Sequence, residues 1–159
     1  MHYNTKAKIA KRIALAKEVL SQFDLGKIQA TKQVYCILST NGYSCDVCAD
    51  GALAVACCGV EKMQEANANM VVECLRPYFS LTQLALIEAA FEQTDIRYAT
   101  VDYNVPIKEK LKVAAKKYKP VWRSYTGNGK YEAKWVAARE ERLQKIMRNI
   151  IRNKGTFVV

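Results

Sequence analysis

Four of the six cysteines lie within fourteen residues, and thiols at this density suggest metal or redox chemistry. Cys45 and Cys48 have the C-x-x-C spacing found in one half of many zinc sites. On one continuous helix, Cys57 would lie ~13 Å from Cys48, because each residue adds ~1.5 Å. Zinc–sulfur bonds measure only ~2.3 Å, so a site would have to recruit Cys36 or Cys74. We therefore expect no metal and no other cofactor.

The charges beside these thiols also disfavour a redox role. A reactive cysteine needs a lowered pKa, which a helix N-terminus or a nearby cation can supply. Asp46 and Asp50 instead place negative charge next to Cys45 and Cys48. The N-terminal residues lack the apolar stretch of a signal peptide, which predicts a cytoplasmic protein whose cysteines stay thiols. We interpret them as small buried hydrophobic residues, with a structural zinc or thiol protein as the alternative.

Other catalytic groups are scarce. His2 is the single histidine and lies at the terminus, which disfavours Cys–His or Ser–His catalysis and histidine-ligated metals. The phosphate-binding motifs G-x-x-x-x-G-K-[ST] and G-x-G-x-x-G are absent from the sequence. Glu88 and Glu92 share one helix face, and we interpret them as solvated surface charges. The sequence thus predicts that the protein is not an enzyme.

The positive charge is concentrated at the C-terminal end. Residues 1–35 carry a net charge of +5, residues 36–107 carry −6, and residues 108–159 carry +11. Such an asymmetry favours contact with phosphate or with an acidic protein, although a solvated helical surface would show the same composition. The segment 116–125 also mixes cations with aromatic rings, a combination that nucleic-acid surfaces use to neutralise phosphates and stack on bases.

The residues predicted to bind a partner all lie in this basic C-terminal segment. In the last helix an apolar stripe of Val136, Leu143, Ile146, Met147 and Ile150 is expected to face the core, with the cations opposite. The candidate binding residues are Lys116, Lys117, Lys119, Trp122, Arg123, Tyr125, Lys134, Arg142, Lys145, Arg148 and Arg152. For Trp122 and Tyr125, packing in the core or a hairpin is the alternative.

Hydrophobic periodicity predicts a mainly α fold: a compact single-domain helical bundle of about six helices over residues 1–159, with one short strand or hairpin. Thr5 should cap a helix over 6–23 that ends before Gly26. Ser44 should cap a central helix that carries the cysteines as far as Gly59. The sequence contains no apolar run of the ~18–20 residues that a membrane span needs.

The remaining elements follow from turn and capping residues. A third helix is expected over 61–76, and Ser80-x-x-Gln83 is a capping box that opens a fourth. A fifth should cover 104–119 and a last one 134–153. Residues 33–38 favour a strand, and Tyr125 could pair with Lys130 and Tyr131 in a small hairpin.

Three stretches together carry a resemblance. They are C-D-V-C-A-D-G-A-L at 45–53, F-S-L-T-Q-L-A-L-I-E-A-A-F-E at 79–92 and R-L-Q-K-I-M-R-N-I-I-R-N at 142–153. In this combination the chain resembles small bacteriophage-encoded helical proteins of unknown function. The resemblance implies an accessory phage protein in the cytoplasm of a bacterial host, and such proteins often bind and block host machinery, including defence systems.

Two functions are consistent with these features. The first is a non-enzymatic phage accessory protein that binds a host protein or ribonucleoprotein, for example as an anti-CRISPR-like inhibitor. The second is a protein that binds nucleic acid directly through residues 108–159. Neither function involves a membrane, because the apolar stripe of the last helix has only the width that a core needs.

Overall fold

The computed structural model describes residues 2–31, 35–38, 45–93, 108–118 and 129–159, with side chains for all of these except residues 37, 38, 45 and 129–137. Within them the chain forms seven helices and one three-stranded sheet in a single compact domain. The mainly α fold predicted from the sequence is confirmed. Among the described residues, no helix combines the length and apolar character needed to cross a membrane.

The first helix, α1 (Lys6–Asp24), has the predicted bounds to within one residue. It begins at Thr5, whose Oγ1 accepts the backbone N–H of Lys8 at 3.3 Å. Gly26 follows its end with φ of +68°, a conformation that glycine adopts without steric cost. Its buried face packs Leu15, Ala16 and Val19 into the core.

The sheet is the largest departure from the predicted elements. Its strands are β1 (Ile28–Ala30), β2 (Cys36–Leu38) and β3 (Cys45–Val47). β3 is central, parallel to β1 and antiparallel to β2. The prediction that residues 45–47 belong to the cysteine helix is therefore wrong. Hydrogen bonding to strands on both sides outweighs the local helical pattern there. Of the strand predicted over 33–38, the structure confirms β2, and residues 33 and 34 lie outside the described part.

The central helix, α2 (Ala49–Cys58), starts later than predicted because its cap is Cys48. The Cys48 Sγ accepts the backbone N–H of Gly51 at 3.3 Å, while Ser44 lies outside the described residues. Gly51 has no space for a Cβ, which would collide with the backbone oxygen of Tyr35. Residues 49–55 are all buried, so α2 forms the middle of the core, as the sequence predicts.

The predicted third helix is divided in two, α3 (Val60–Met63) and α4 (Ala68–Leu75). Glu65 adopts a positive φ of 55° between them, and Asn67 caps α4 by accepting the N–H of Met70 at 3.0 Å. The next helix, α5 (Leu81–Glu92), is capped as predicted by Ser80, whose Oγ accepts the N–H of Gln83 at 3.2 Å.

The last two described helices are α6 (Lys108–Ala115) and α7 (Gly129–Arg152). α6 falls inside the predicted range 104–119. α7 begins five residues earlier than predicted, so Lys130 and Tyr131 are helical and the proposed hairpin is wrong. The apolar stripe of α7 is confirmed for four residues, which are all fully buried: Leu143, Ile146, Met147 and Ile150. The Val136 side chain lies outside the described part.

The helices pack around α2 and α5. α7 lies against α1, α5 and β1, while α5 also contacts α6 and α2. Arg12 fastens both ends of the chain to this core, because its guanidinium donates to the backbone oxygens of Tyr3, Tyr78 and Gly155 at 2.6, 2.9 and 2.5 Å. Gln83 holds the C-terminal tail through two hydrogen bonds to the backbone of Phe157.

Candidate functional site

The C-terminal end of α6 is anchored on the exposed face of α7. Tyr118 follows α6, and its hydroxyl donates to the backbone oxygen of Lys145 at 3.5 Å. Burial raises the pKa of this hydroxyl, against the opposing effects of a hydrogen bond with Asn149 and the charge of Arg152. On the other side, Gln93 Nε2 donates to the Tyr118 backbone oxygen at 3.2 Å. Lys117, whose Nζ lies 6.0 Å from the centre of the Tyr118 ring, is therefore on the side of the domain where Tyr118 contacts α7.

We call this region the cationic surface and define it by five exposed residues: Lys116, Lys117, Lys145, Arg148 and Arg152. Few acidic side chains are available to neutralise the positive charge of the cationic surface. Across residues 108–118 and 138–159, nine lysines and arginines are exposed but only two acids, Glu109 and Glu141. Glu141 pairs with Lys145 at 2.8 Å, and both side chains are about half exposed or more, so the pairing is weak.

The structure corrects one predicted binding residue. Arg142 was expected on the outer face of the last helix, but it is only 2% exposed. It precedes Ile146 by four residues, which places the two side chains ~40° apart around the helix axis and therefore on neighbouring positions of the apolar stripe. Its guanidinium lies over the ring of Phe91 at 5.0 Å. Burial lowers the pKa of Arg142 to about 10, against the opposing effect of the nearby Glu92.

Five further candidates are not placed by the structure. Lys119, Trp122, Arg123 and Tyr125 lie outside the described residues. Lys134 belongs to α7, but its side chain lies outside the described part as well. The predicted surface is thus described for its α6 end and for the second half of α7.

The structure contains a buried acidic cluster, which the sequence did not predict. Glu88 and Glu92 were expected on the surface, yet each is 1% exposed, and Asp50 of α2 is fully buried beside them. Burial, together with the negative charges of Asp50 and Glu92, raises the pKa of Glu88 well above its ordinary value. A local signal existed, because residues 84–91 are apolar on every face except at Glu88.

Cys48 belongs to this acidic cluster. Its thiol donates to Glu88 Oε2 at 3.4 Å while accepting the Gly51 N–H. Burial and the three neighbouring carboxylates raise the pKa of Cys48 well above its ordinary value. The thiolate is therefore disfavoured, and Cys48 is not placed to act as a nucleophile.

Three further cysteines lie together at the opposite end of α2. The sulfurs of Cys57, Cys58 and Cys74 all lie within 4.8 Å of one another. Cys58 and Cys74 form a disulfide, so the expectation that all six cysteines are thiols is wrong. Cys57 is a partly exposed free thiol whose Sγ donates to the Cys74 backbone oxygen at 3.8 Å. Burial raises its pKa, and the charge of Lys11 on α1 acts in the opposite direction.

Comparisons with models of protein families, with curated proteins and with solved structures find no match for this chain. Any function is therefore inferred from the residues described above.

Proposed function

We propose that this protein acts by binding and not by catalysis, and that its cationic surface contacts the phosphate backbone of a host ribonucleoprotein. One observation carries the proposal: Tyr118 joins the end of α6 to α7 and so gathers cations that are about thirty residues apart in sequence. Lysines and arginines held together in this way can neutralise several phosphates at once.

The arrangement of the α7 cations suits an extended anion. Arg148 lies three residues after Lys145 and four before Arg152, so the three side chains follow one another along the same helix face. All three are exposed, and the buried stripe of α7 fixes the orientation of the helix beneath them. A row of this kind favours a polymer with regularly spaced charges over a small anion.

The buried acidic cluster supports binding over catalysis. The pKa values of Glu88 and Cys48 are both raised well above their ordinary values, and these side chains are only 1% and 2% exposed. A catalytic acid, base or nucleophile must come within hydrogen-bonding reach of its substrate. These two groups instead satisfy each other inside the core.

The test is charge reversal on the cationic surface. The triple variant Lys145→Glu, Arg148→Glu, Arg152→Glu should lose its partner in an affinity purification from bacterial host lysate. The matched control, Lys6→Glu, Lys17→Glu, Lys27→Glu, makes the same charge change at exposed positions near α1 and should retain it. Circular dichroism would confirm that both variants fold. Equal retention by the two variants would refute the proposal.

Nuclease treatment and salt then identify what the surface contacts. For a phosphate backbone, log K of the wild-type complex should fall linearly with log salt, with a slope of about −0.7 to −0.9 for each phosphate contacted. The resemblance to bacteriophage proteins supports a host defence complex as the source of the partner. A complex that survives nuclease treatment but still weakens with salt would favour an acidic host protein instead, whereas a complex insensitive to salt would contradict a contact through the cationic surface.

A further inference from the structure

Cys57, Cys58 and Cys74 form a group of sulfurs to which the proposed binding function gives no role. Two of them end α2 and the third lies in α4, which packs against α2. We propose that, in the reduced protein, these three cysteines bind a thiophilic divalent cation of the zinc class. The disulfide between Cys58 and Cys74 is then the metal-free, oxidised form of the same site.

The distances fit such an ion. Zinc lies ~2.3 Å from each sulfur in tetrahedral geometry, which places the sulfurs ~3.8 Å from one another. The three sulfurs already lie within 4.8 Å of one another. Those of Cys58 and Cys74 are bonded, so on reduction they must move apart to ~3.8 Å, while the Cys57 sulfur need approach by no more than ~1 Å. Neighbouring side chains at the end of a helix can move by that amount without repacking the core.

Access and charge fit as well. Cys57 and Cys58 are partly exposed and Cys74 is the most buried of the three, so an ion can reach the group from the Cys57 and Cys58 side, where a water can fill the fourth position. Three thiolates around a dication carry a net charge of −1. Lys11 of α1 lies close enough to Cys57 to favour its thiolate, and its ammonium offsets this charge.

The two states of the site exchange by balanced steps. A dithiol reductant transfers two electrons and two protons to the Cys58–Cys74 bond, which breaks into two thiols while the reductant forms its own disulfide. The cation then displaces one proton from each of the three thiols. Metal binding and disulfide formation are therefore mutually exclusive.

The C-x-x-C pair does not take part. Cys48 caps the other end of α2, ~13 Å from Cys57 at ~1.5 Å per residue, and its thiol is held by Glu88. Cys36 is buried in β2. Cys45 and Cys48 are too far from Cys57 to share an ion with it on one helix, so a site at Cys57 needs a cysteine from elsewhere. The packing of α4 on α2 supplies Cys74.

The experiment is a titration of the reduced, desalted full chain with Co²⁺ and then Zn²⁺ under anaerobic conditions. We expect one Co²⁺ per chain, seen by thiolate-to-cobalt charge-transfer absorption and displaced by Zn²⁺. Losing one ligand should weaken binding by at least the 10–100-fold that loss of an outer-shell partner costs. We expect this loss for Cys57→Ser and Cys74→Ser but not for Cys36→Ser or Cys48→Ser. The oxidised protein should not bind.

Several outcomes would overturn the proposal. One is the absence of a charge-transfer band in the reduced protein. Another is a band that persists in Cys57→Ser, which would show that Cys58 and Cys74 bind the metal without Cys57. Loss of the band in Cys48→Ser or Cys45→Ser alone would move the site to the other end of α2. Cys57→Ser is the decisive variant, because it changes a partly exposed residue and leaves the disulfide intact. The result is independent of partner binding by the cationic surface.

Discussion

Replacing Glu88 with glutamine should stabilise the protein at neutral pH. The Glu88 carboxyl is buried between the Cys48 thiol and Asp50, with Glu92 adding negative charge. Its ionised form is therefore costly, and its folded-state pKa is raised well above the ordinary value. Glutamine matches the shape of the protonated acid and can still accept from Cys48 and donate to Asp50.

The sign follows from proton linkage. Because the folded state holds a proton that the unfolded chain releases above pH ~4.3, stability should fall as pH rises from there to the raised folded pKa. The slope approaches ~1.4 kcal/mol per pH unit for one proton. Above the folded pKa the carboxyl is ionised in both states and the profile flattens. Glu88→Gln has no such proton, so it should lose this slope and exceed the wild type increasingly across the window. Since Asp50 and Glu92 share the site, the window belongs to the whole cluster.

The assay is urea unfolding at a series of pH values from 4.5 to about 8, with the disulfide kept in one state. The quantity to compare is the free energy of unfolding of Glu88→Gln minus that of the wild type. Glu73→Gln, which removes a carboxylate from the exposed side of α4, serves as the control and should show a constant difference. A Glu88→Gln difference that is flat with pH, or that falls, would refute a neutral buried Glu88.

Two further predictions concern the residues that tie the chain together. Reducing the Cys58–Cys74 disulfide, which spans 16 residues, should lower the free energy of unfolding by about 3 kcal/mol. Urea unfolding with and without reductant measures this difference, and no change would mean that the folded protein does not contain the bond. Arg12→Met should cost about 2–4 kcal/mol, because one buried and two partly buried backbone oxygens lose a charged donor; a thermal melt unchanged from the wild type would contradict the contacts of Arg12.

The helices were predictable wherever their limits are encoded locally. Thr5 and Ser80 cap α1 and α5 as their sequence contexts indicate, and Gly26 ends α1. The strands were less predictable, because β1 and β3 pair across 14 intervening residues and the sequence of neither strand indicates its partner. The cysteine helix was extended too far for the same reason: the segment before Cys48 is set by its partners in the sheet, not by helical periodicity.

The candidate sites divide in the same way. The outward direction of Lys145, Arg148 and Arg152 follows from helical periodicity, and their exposure agrees with it. The contact of Tyr118 with α7 could not be predicted, because it depends on how α6 packs against α5. The sequence named Cys74 as one cysteine that a metal site would have to recruit, but its position beside the end of α2 depends on the packing of two helices and could not be predicted.

The buried charges also change how the charge asymmetry of the sequence should be interpreted. Residues 36–107 carry a net charge of −6, but three of their acids, Asp50, Glu88 and Glu92, are inside the core. These three carboxylates therefore do not contribute to the surface of this region. In the segment 108–159, which carries +11, Arg142 is the one buried cation among the residues whose side chains the structure describes. A second copy of the chain consequently offers the cationic surface little complementary charge, whereas a phosphate backbone offers a continuous row of it, and this contrast favours a polyanion over self-association.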